Sequence, residues 1–134
     1  MNSKKLLKIL VIEDDIFWFD TLKLEIDKRK LSLHLRWSPN GGKAMALLEG
    51  HVAFDAIVMN ITSVRDSEHT AKKIRAMGIK VPIIAWASKD HGNFKKVSKE
   101  LGIDQYLIKQ AETLVQDLIA VLHKCGVHQD LEVK

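Results

Sequence analysis

At 134 residues, with 46% hydrophobic and 28% charged side chains, the chain is sized for one globular domain with its own core. Its single cysteine, Cys125, excludes an internal disulfide and suits a reducing compartment, and neither a charged-then-apolar leader nor an apolar run near ~20 residues occurs, so a cytoplasmic protein is expected. The net charge of +4 is spread over small clusters (Lys4-Lys5, Lys28-Arg29-Lys30, Lys72-Lys73, Lys95-Lys96) without interleaved aromatics, which argues for solvated helix faces over a nucleic-acid surface.

Residues 8–12 (Lys-Ile-Leu-Val-Ile) form a continuous β-prone run that predicts a first buried strand, ended by Glu13-Asp14-Asp15. A helix is expected over about 15–29, with Asp15 as N-cap, apolar Phe17, Leu22 and Ile26, and further apolar Trp18 and Phe19. Residues 31–37 alternate strictly between apolar and polar, as a strand at a sheet edge does. The turn cluster Ser38-Pro39-Asn40-Gly41-Gly42 leads into a helix started by Asn40 and closed by Gly50.

Residues 54–60 (Phe-Asp-Ala-Ile-Val-Met-Asn) read as a third strand, buried on both faces and ending at Asn60. Ser67 or Asp66 is expected to cap the helix that runs through Ala71 and Ile74 to Gly78. A fourth strand spans 81–87, with Pro82 at its start where no ladder donor is needed. A polar helix over about 92–101, a short strand over 106–108 ending at Lys109, and a helix over about 111–124 complete the chain, before Gly126 and a tail over 127–134. Strand and helix alternate five times, which predicts a doubly wound (βα)5 parallel sheet.

In such sheets the site lies beyond the carboxyl ends of the strands. Those ends carry Glu13-Asp14-Asp15, Asn60, Ala87-Ser88 and Lys109. Together with Val-Pro-Ile-Ile at 81–84 and Gly-Ile-Asp-Gln-Tyr-Leu-Ile-Lys at 102–109, in order on five βα units, they make residues 7–125 resemble a response-regulator receiver domain. The resemblance implies a flavodoxin-like sheet of order 2-1-3-4-5, a domain over 1–126, and a place in two-component signal transduction. It matches Glu13 and Asp14 to the family's magnesium-holding acids and Lys109 to the lysine that neutralises the phosphoryl oxygens. Tyr106 matches the switch aromatic. Asn60 stands where the family has its phosphate-accepting aspartate, and Ala87 where it has a hydroxyl-bearing residue. Gln110 replaces the proline that follows the lysine, and the segment after Asn60 lacks the usual Pro and Gly.

The substitutions bear directly on chemistry. Nucleophilic attack on phosphorus needs an anionic or activated oxygen, whereas an Asn amide is neutral and its nitrogen lone pair is delocalised into the carbonyl. Ala87 has no hydroxyl to hold a phosphoryl group, and Ser88 is a strand neighbour that points to the opposite face. With one carboxylate lost, Lys109 can pair with Glu13 or Asp14 while Asn60 donates to the same acids. Glu13, Asp14 and Asn60 are then a weak or vestigial magnesium site, with no cofactor required.

Other candidates are weaker. The six histidines show no metal-ligand spacing, and Gly41-Gly42 lacks the context of a phosphate loop. Cys125 reads as a small core residue. Trp86 fills core by default, with a partner contact as its rival reading. The expected protein is therefore not an enzyme but a pseudo-receiver that binds a protein partner without aspartyl phosphorylation. Its surface is placed at the fourth helix, fifth strand and last helix, through Trp86, Tyr106, Lys95 and Lys96, with Val115 and Ile119 beside the core stripe widening it, and the last helix is available for a homodimer contact. The alternatives are a receiver phosphorylated at another acid, such as Asp14 or Asp15, and a basic nucleic-acid module; no membrane role is indicated.

Overall fold

The apolar runs of the sequence form five parallel strands in the order β2-β1-β3-β4-β5. The architecture is thus the α/β flavodoxin-like sheet expected. The computed structural model describes residues 6–50, 53–61, 63–89 and 98–127. In chain order the elements are β1 (Leu7–Ile12), α1 (Ile16–Lys28), β2 (Leu33–Ser38), α2 (Gly41–Glu49), β3 (Ala56–Asn60), α3 (Val64–Ala76), β4 (Ile83–Ala87), β5 (Gln105–Ile108) and α4 (Leu114–Lys124). A 3-10 turn at Ser98–Leu101 precedes β5. Most of the helix expected over 92–101 lies outside the described residues.

Side-chain alternation along the strands splits the core in two. Ile9, Val11, Val58, Ile84 and Trp86 face α1 and α4, while Leu10, Ile57, Met59, Ile83 and Ala85 face α2 and α3. β2 alternates buried Leu33 and Leu35 with exposed His34 and Arg36, as its edge position requires. Register then levels the strand ends: Ile12 lies opposite Met59, Asn60 opposite Trp86, and Ala87 opposite Ile108. Glu13, Asn60, Ala87 and Lys109 consequently reach one edge of the sheet.

The caps follow local chemistry, with one correction. Asp15 accepts from Phe17 N and Asn40 from Lys43 N, as expected. The α3 cap is Ser63, which accepts from Asp66 N, and not Ser67 or Asp66. Asp66 sits instead in the first turn, where its charge meets the positive helix end. At the far end of α3, Arg75 donates to Gly102 O, Ile79 O, Val81 O and Asp104 Oδ2, tying the β4 and β5 approaches together. A Cβ at Gly102 would lie 2.8 Å from Arg75 Cγ, and its φ of +83° also selects glycine.

Three expectations about exposure are corrected. Trp86 is 0% exposed, which favours its core-filling reading over a partner contact, because β4 is an interior strand and Trp86 lies on the face covered by α1 and α4. Val115 and Ile119 are buried too, since α4 inserts a broad apolar face that also includes Leu114, Leu118, Val121 and Leu122. Conversely, α1 buries Phe19, Leu22 and Ile26, turning Phe17 outward with Ile16 and Leu24.

Candidate functional site

Four polar side chains from three strand ends are joined in one chain of hydrogen bonds. Lys109 Nζ donates to Glu13 Oε1 at 2.7 Å and to Asn60 Oδ1 at 2.8 Å. Asn60 Nδ2 donates in turn to Asp14 Oδ1 at 2.7 Å. The second oxygen of Glu13, Oε2, accepts from Asp15 N at 3.0 Å. Asn60 thus has its acceptor turned to the lysine and its donor to the acid, an orientation that fixes which end of the amide is which.

The inner half of this chain is dry. The Lys109 and Glu13 side chains are 4% and 0% exposed, whereas Asp14 is exposed and Asn60 half-buried. Burial pushes the Glu13 carboxyl above its ordinary value, against the opposing pull of the Lys109 and Asp15 hydrogen bonds. The lysine is flanked by two indoles, with Nζ 5.0 Å from the Trp18 ring centroid and 5.5 Å from that of Trp86. Aromatic faces stabilise a desolvated ammonium, here without supplying any anion. A third tryptophan, Trp37 on β2, donates Nε1 to Glu13 O at 2.7 Å and pins the turn that presents the acids.

Trp18 and Trp37 are the part of the site that residue-by-residue reading missed. Trp18 and Trp37 were expected only as apolar residues of a helix and a strand. The available signal was composition: three tryptophans, each within a few residues of a strand end or of the acidic turn.

Ala87 is fully buried on the α2/α3 side, and its carbonyl accepts from Lys109 N at 2.7 Å. Tyr106 is half-buried and donates to Lys89 O at 3.2 Å. Lys95 and Lys96 lie outside the described residues. His34, His69 and His123 are exposed, and Cys125 is half-buried. Among the described residues, no three His, Cys, Asp or Glu side chains are placed to hold a metal ion. No described helix is long and apolar enough to cross a membrane. A cleft of about 370 Å³ opens beside the outer half of the site, between Glu13, Asp14 and Asn60 on one side and the starts of α2 and α3 on the other.

Sheet order, helix placement and the polar residues at the carboxyl edge together define a receiver-type fold. The chain is similar to the phosphorylated cyanobacterial phytochrome response regulator RcpA, with a TM-score of 0.77 at 15% identity over 96% of this chain and 100% of that one. It also resembles a two-component response regulator from Clostridium difficile, at TM-score 0.72 and 25% identity over 88% and 97% of the two chains. A third similar structure is the Saccharomyces cerevisiae co-crystal of the histidine phosphotransfer signalling protein Ypd1 with the receiver domain of its downstream response regulator Ssk1. It matches at TM-score 0.75 and 21% identity over 97% and 95%. No protein-family model matches the sequence, and none of the curated proteins compared with it does. At these identities the likeness is one of fold.

Proposed function

We propose that the chain is a phosphorylation-independent pseudo-receiver: a two-component signalling module that binds a protein partner with its phosphoacceptor site permanently closed. The observation that carries this reading is the engagement of both polar atoms of Asn60, one by Lys109 and one by Asp14. The cation that would neutralise an incoming phosphoryl group is already held by Glu13, and the residue at the acceptor position has no nucleophilic oxygen. Ala87 offers no hydroxyl to couple such a group to Tyr106.

The donor set as arranged does not fit magnesium, so we assign the site no cofactor. Both Glu13 oxygens and Asn60 Oδ1 are committed to internal donors, and a hard cation needs six or so oxygens, some from water. Protein binding is supported by the Ypd1–Ssk1 neighbour, a receiver crystallised with a histidine phosphotransfer protein. Of the five large exposed apolar side chains among the described residues, three, Ile16 (44%), Phe17 (56%) and Leu24 (59%), lie on α1. Phe17 and Leu24 are two turns apart and share a helix face. The partner surface therefore includes α1, next to the closed site, besides Tyr106 and the Lys95-Lys96 segment. The exposed side of α4 carries Gln116, Ala120, His123 and Lys124, which offers little for an apolar homodimer.

The test is incubation with acetyl phosphate and magnesium, read by intact mass and by amide NMR spectra. The expected result is no gain of a phosphoryl group and no spectral change. A stoichiometric, hydroxylamine-labile adduct defeats the proposal, and its mapping to Asp14 or Asp15 would establish the alternative receiver reading.

A further inference from the structure

The Lys109–Asn60–Glu13 contact brings an amine, a carboxamide and a carboxyl group together, the amine and the carboxyl buried and the carboxamide half-buried at the cleft. Lys109 Nζ is 2.8 Å from Asn60 Oδ1 and 2.7 Å from Glu13 Oε1. The lysine and glutamate side chains are 4% and 0% exposed, and the amine lies between the Trp18 and Trp86 rings. Amines fail to attack amides in water because they are protonated, the carbonyl is weakly electrophilic, and the leaving nitrogen needs a proton. A carboxyl group held against the buried amine relieves the first by taking its proton, the hydrogen bond from Nζ polarises the carbonyl, and water at the cleft protonates the leaving nitrogen. Proximity does the rest, since a positioned intramolecular amine reacts at a very high effective concentration.

We propose that this chain forms an intramolecular amide bond between Lys109 Nζ and Asn60 Cγ, with the Glu13 carboxyl as the proton shuttle. Glu13 takes a proton from the Lys109 ammonium, and the freed Nζ lone pair attacks Cγ. Collapse of the tetrahedral adduct breaks the Cγ–Nδ2 bond. The departing nitrogen, held by Asp14 at the cleft, takes up two protons from water, while Glu13 passes the two protons lost by Nζ to solvent. The products are the Lys109–Asn60 amide, one ammonium ion and the Glu13 carboxylate, with no oxidant or co-reactant.

The carboxamide is oriented for this outcome. Its oxygen accepts from the amine, where charge develops, while its nitrogen donates to Asp14 Oδ1 on the side of the open cleft. The leaving ammonium therefore departs into solvent past a carboxylate. The new bond would tie the end of β3 to the residue after β5 across β4, a span of 49 positions. It would make the closed site irreversible.

The inference does not rest on partner binding. A chain that remains unlinked and also takes no phosphoryl group overturns this proposal alone. The experiment is intact-mass and fragmentation analysis of the purified full chain, fresh and after prolonged incubation at neutral pH. The expected result is loss of one ammonia, about 17 Da, with residues 60 and 109 in one branched peptide. Glu13→Gln keeps the shape but cannot shuttle a proton, so it should retain the sequence mass. Should that variant not fold, Lys109→Arg keeps the charge, supplies no lysine nucleophile, and should likewise retain its sequence mass. An unchanged parent mass after incubation overturns the proposal. So does an ammonia loss confined to a linear peptide, which marks a succinimide at Asn60, or ammonia loss in Lys109→Arg to the parental extent.

Discussion

Glu13 and Lys109 are 96 positions apart in sequence and meet at 2.7 Å, each almost wholly buried. Neither charge has another ion-pair partner among the described residues, so each is the reason the other can be there. Removing one leaves an uncompensated buried charge, which costs more than the pair itself contributes. Lys109→Met is therefore expected to destabilise the fold by ~3–5 kcal/mol, measured by urea unfolding at neutral pH. The double change Lys109→Met with Glu13→Gln should recover a large part of that loss. An equal loss in both variants would mean that packing, not charge, dominates the site.

Asn60 is held as a donor by Asp14, and an aspartate cannot donate when ionised. Asn60→Asp places a third carboxylate beside Glu13 and Asp14 with only Lys109 to balance them. Because Asp14 is exposed and the repulsion is screened, the expected loss at neutral pH is ~1–2 kcal/mol. The same variant should gain affinity for magnesium, seen as a melting temperature that rises with millimolar magnesium only in the variant. It should nevertheless show little phosphorylation-driven change around Tyr106, because Ala87 still lacks a hydroxyl. A parent protein stabilised by magnesium as strongly as the variant would contradict the closed-site reading.

Trp86 is fully buried, and its Nε1 has no hydrogen-bond partner among the described residues. An orphaned buried donor costs ~1–3 kcal/mol, which offsets part of what the indole contributes by packing. Trp86→Phe removes the orphan and keeps a ring beside Lys109, so its net effect should fall within ~1 kcal/mol of zero. Trp86→Ala leaves a large void and should cost ~3–5 kcal/mol. Chemical unfolding of the two variants checks this, and a severe loss in the phenylalanine variant would show that Nε1 is satisfied by an internal water.

The Glu13 carboxyl is raised above its ordinary value of 4.5, chiefly by burial. The folded state therefore holds this proton at pH values where the unfolded chain has released it. Between the two values the folded state binds more protons, so stability falls as pH rises. The Glu13 contribution is fully present below the ordinary value and is lost as pH climbs through the folded one. Unfolding midpoints measured across the acid range should fall with rising pH more steeply in the parent than in Glu13→Gln. Parallel curves would show that the carboxyl is not raised.

Much of the fold was legible in residues 8–12, 54–60 and 81–87, because short apolar β-prone runs between helical periods leave few topologies open. Asp15 and Asn40 were readable as caps because the capping chemistry is local, involving partners two or three residues away. The strand-end positions of Glu13, Asn60, Ala87 and Lys109 followed from alternation and order alone. What the sequence could not settle is which face of each element meets the rest. Helical periodicity puts residues on shared faces but does not say which face is covered, so Phe17 was expected inside and Val115 and Ile119 outside. Ser63 was passed over because Asp66 and Ser67, three and four residues further on, carry capping side chains of the same kind. The hydrogen-bond order at the site was equally hidden: that Lys109 pairs with Glu13 and not Asp14, and that Asn60 turns its oxygen inward, depends on sub-ångström register between three strands and on the desolvation that Trp18 and Trp86 provide. Those are properties of packing across long sequence separations, and only the tertiary structure decides them.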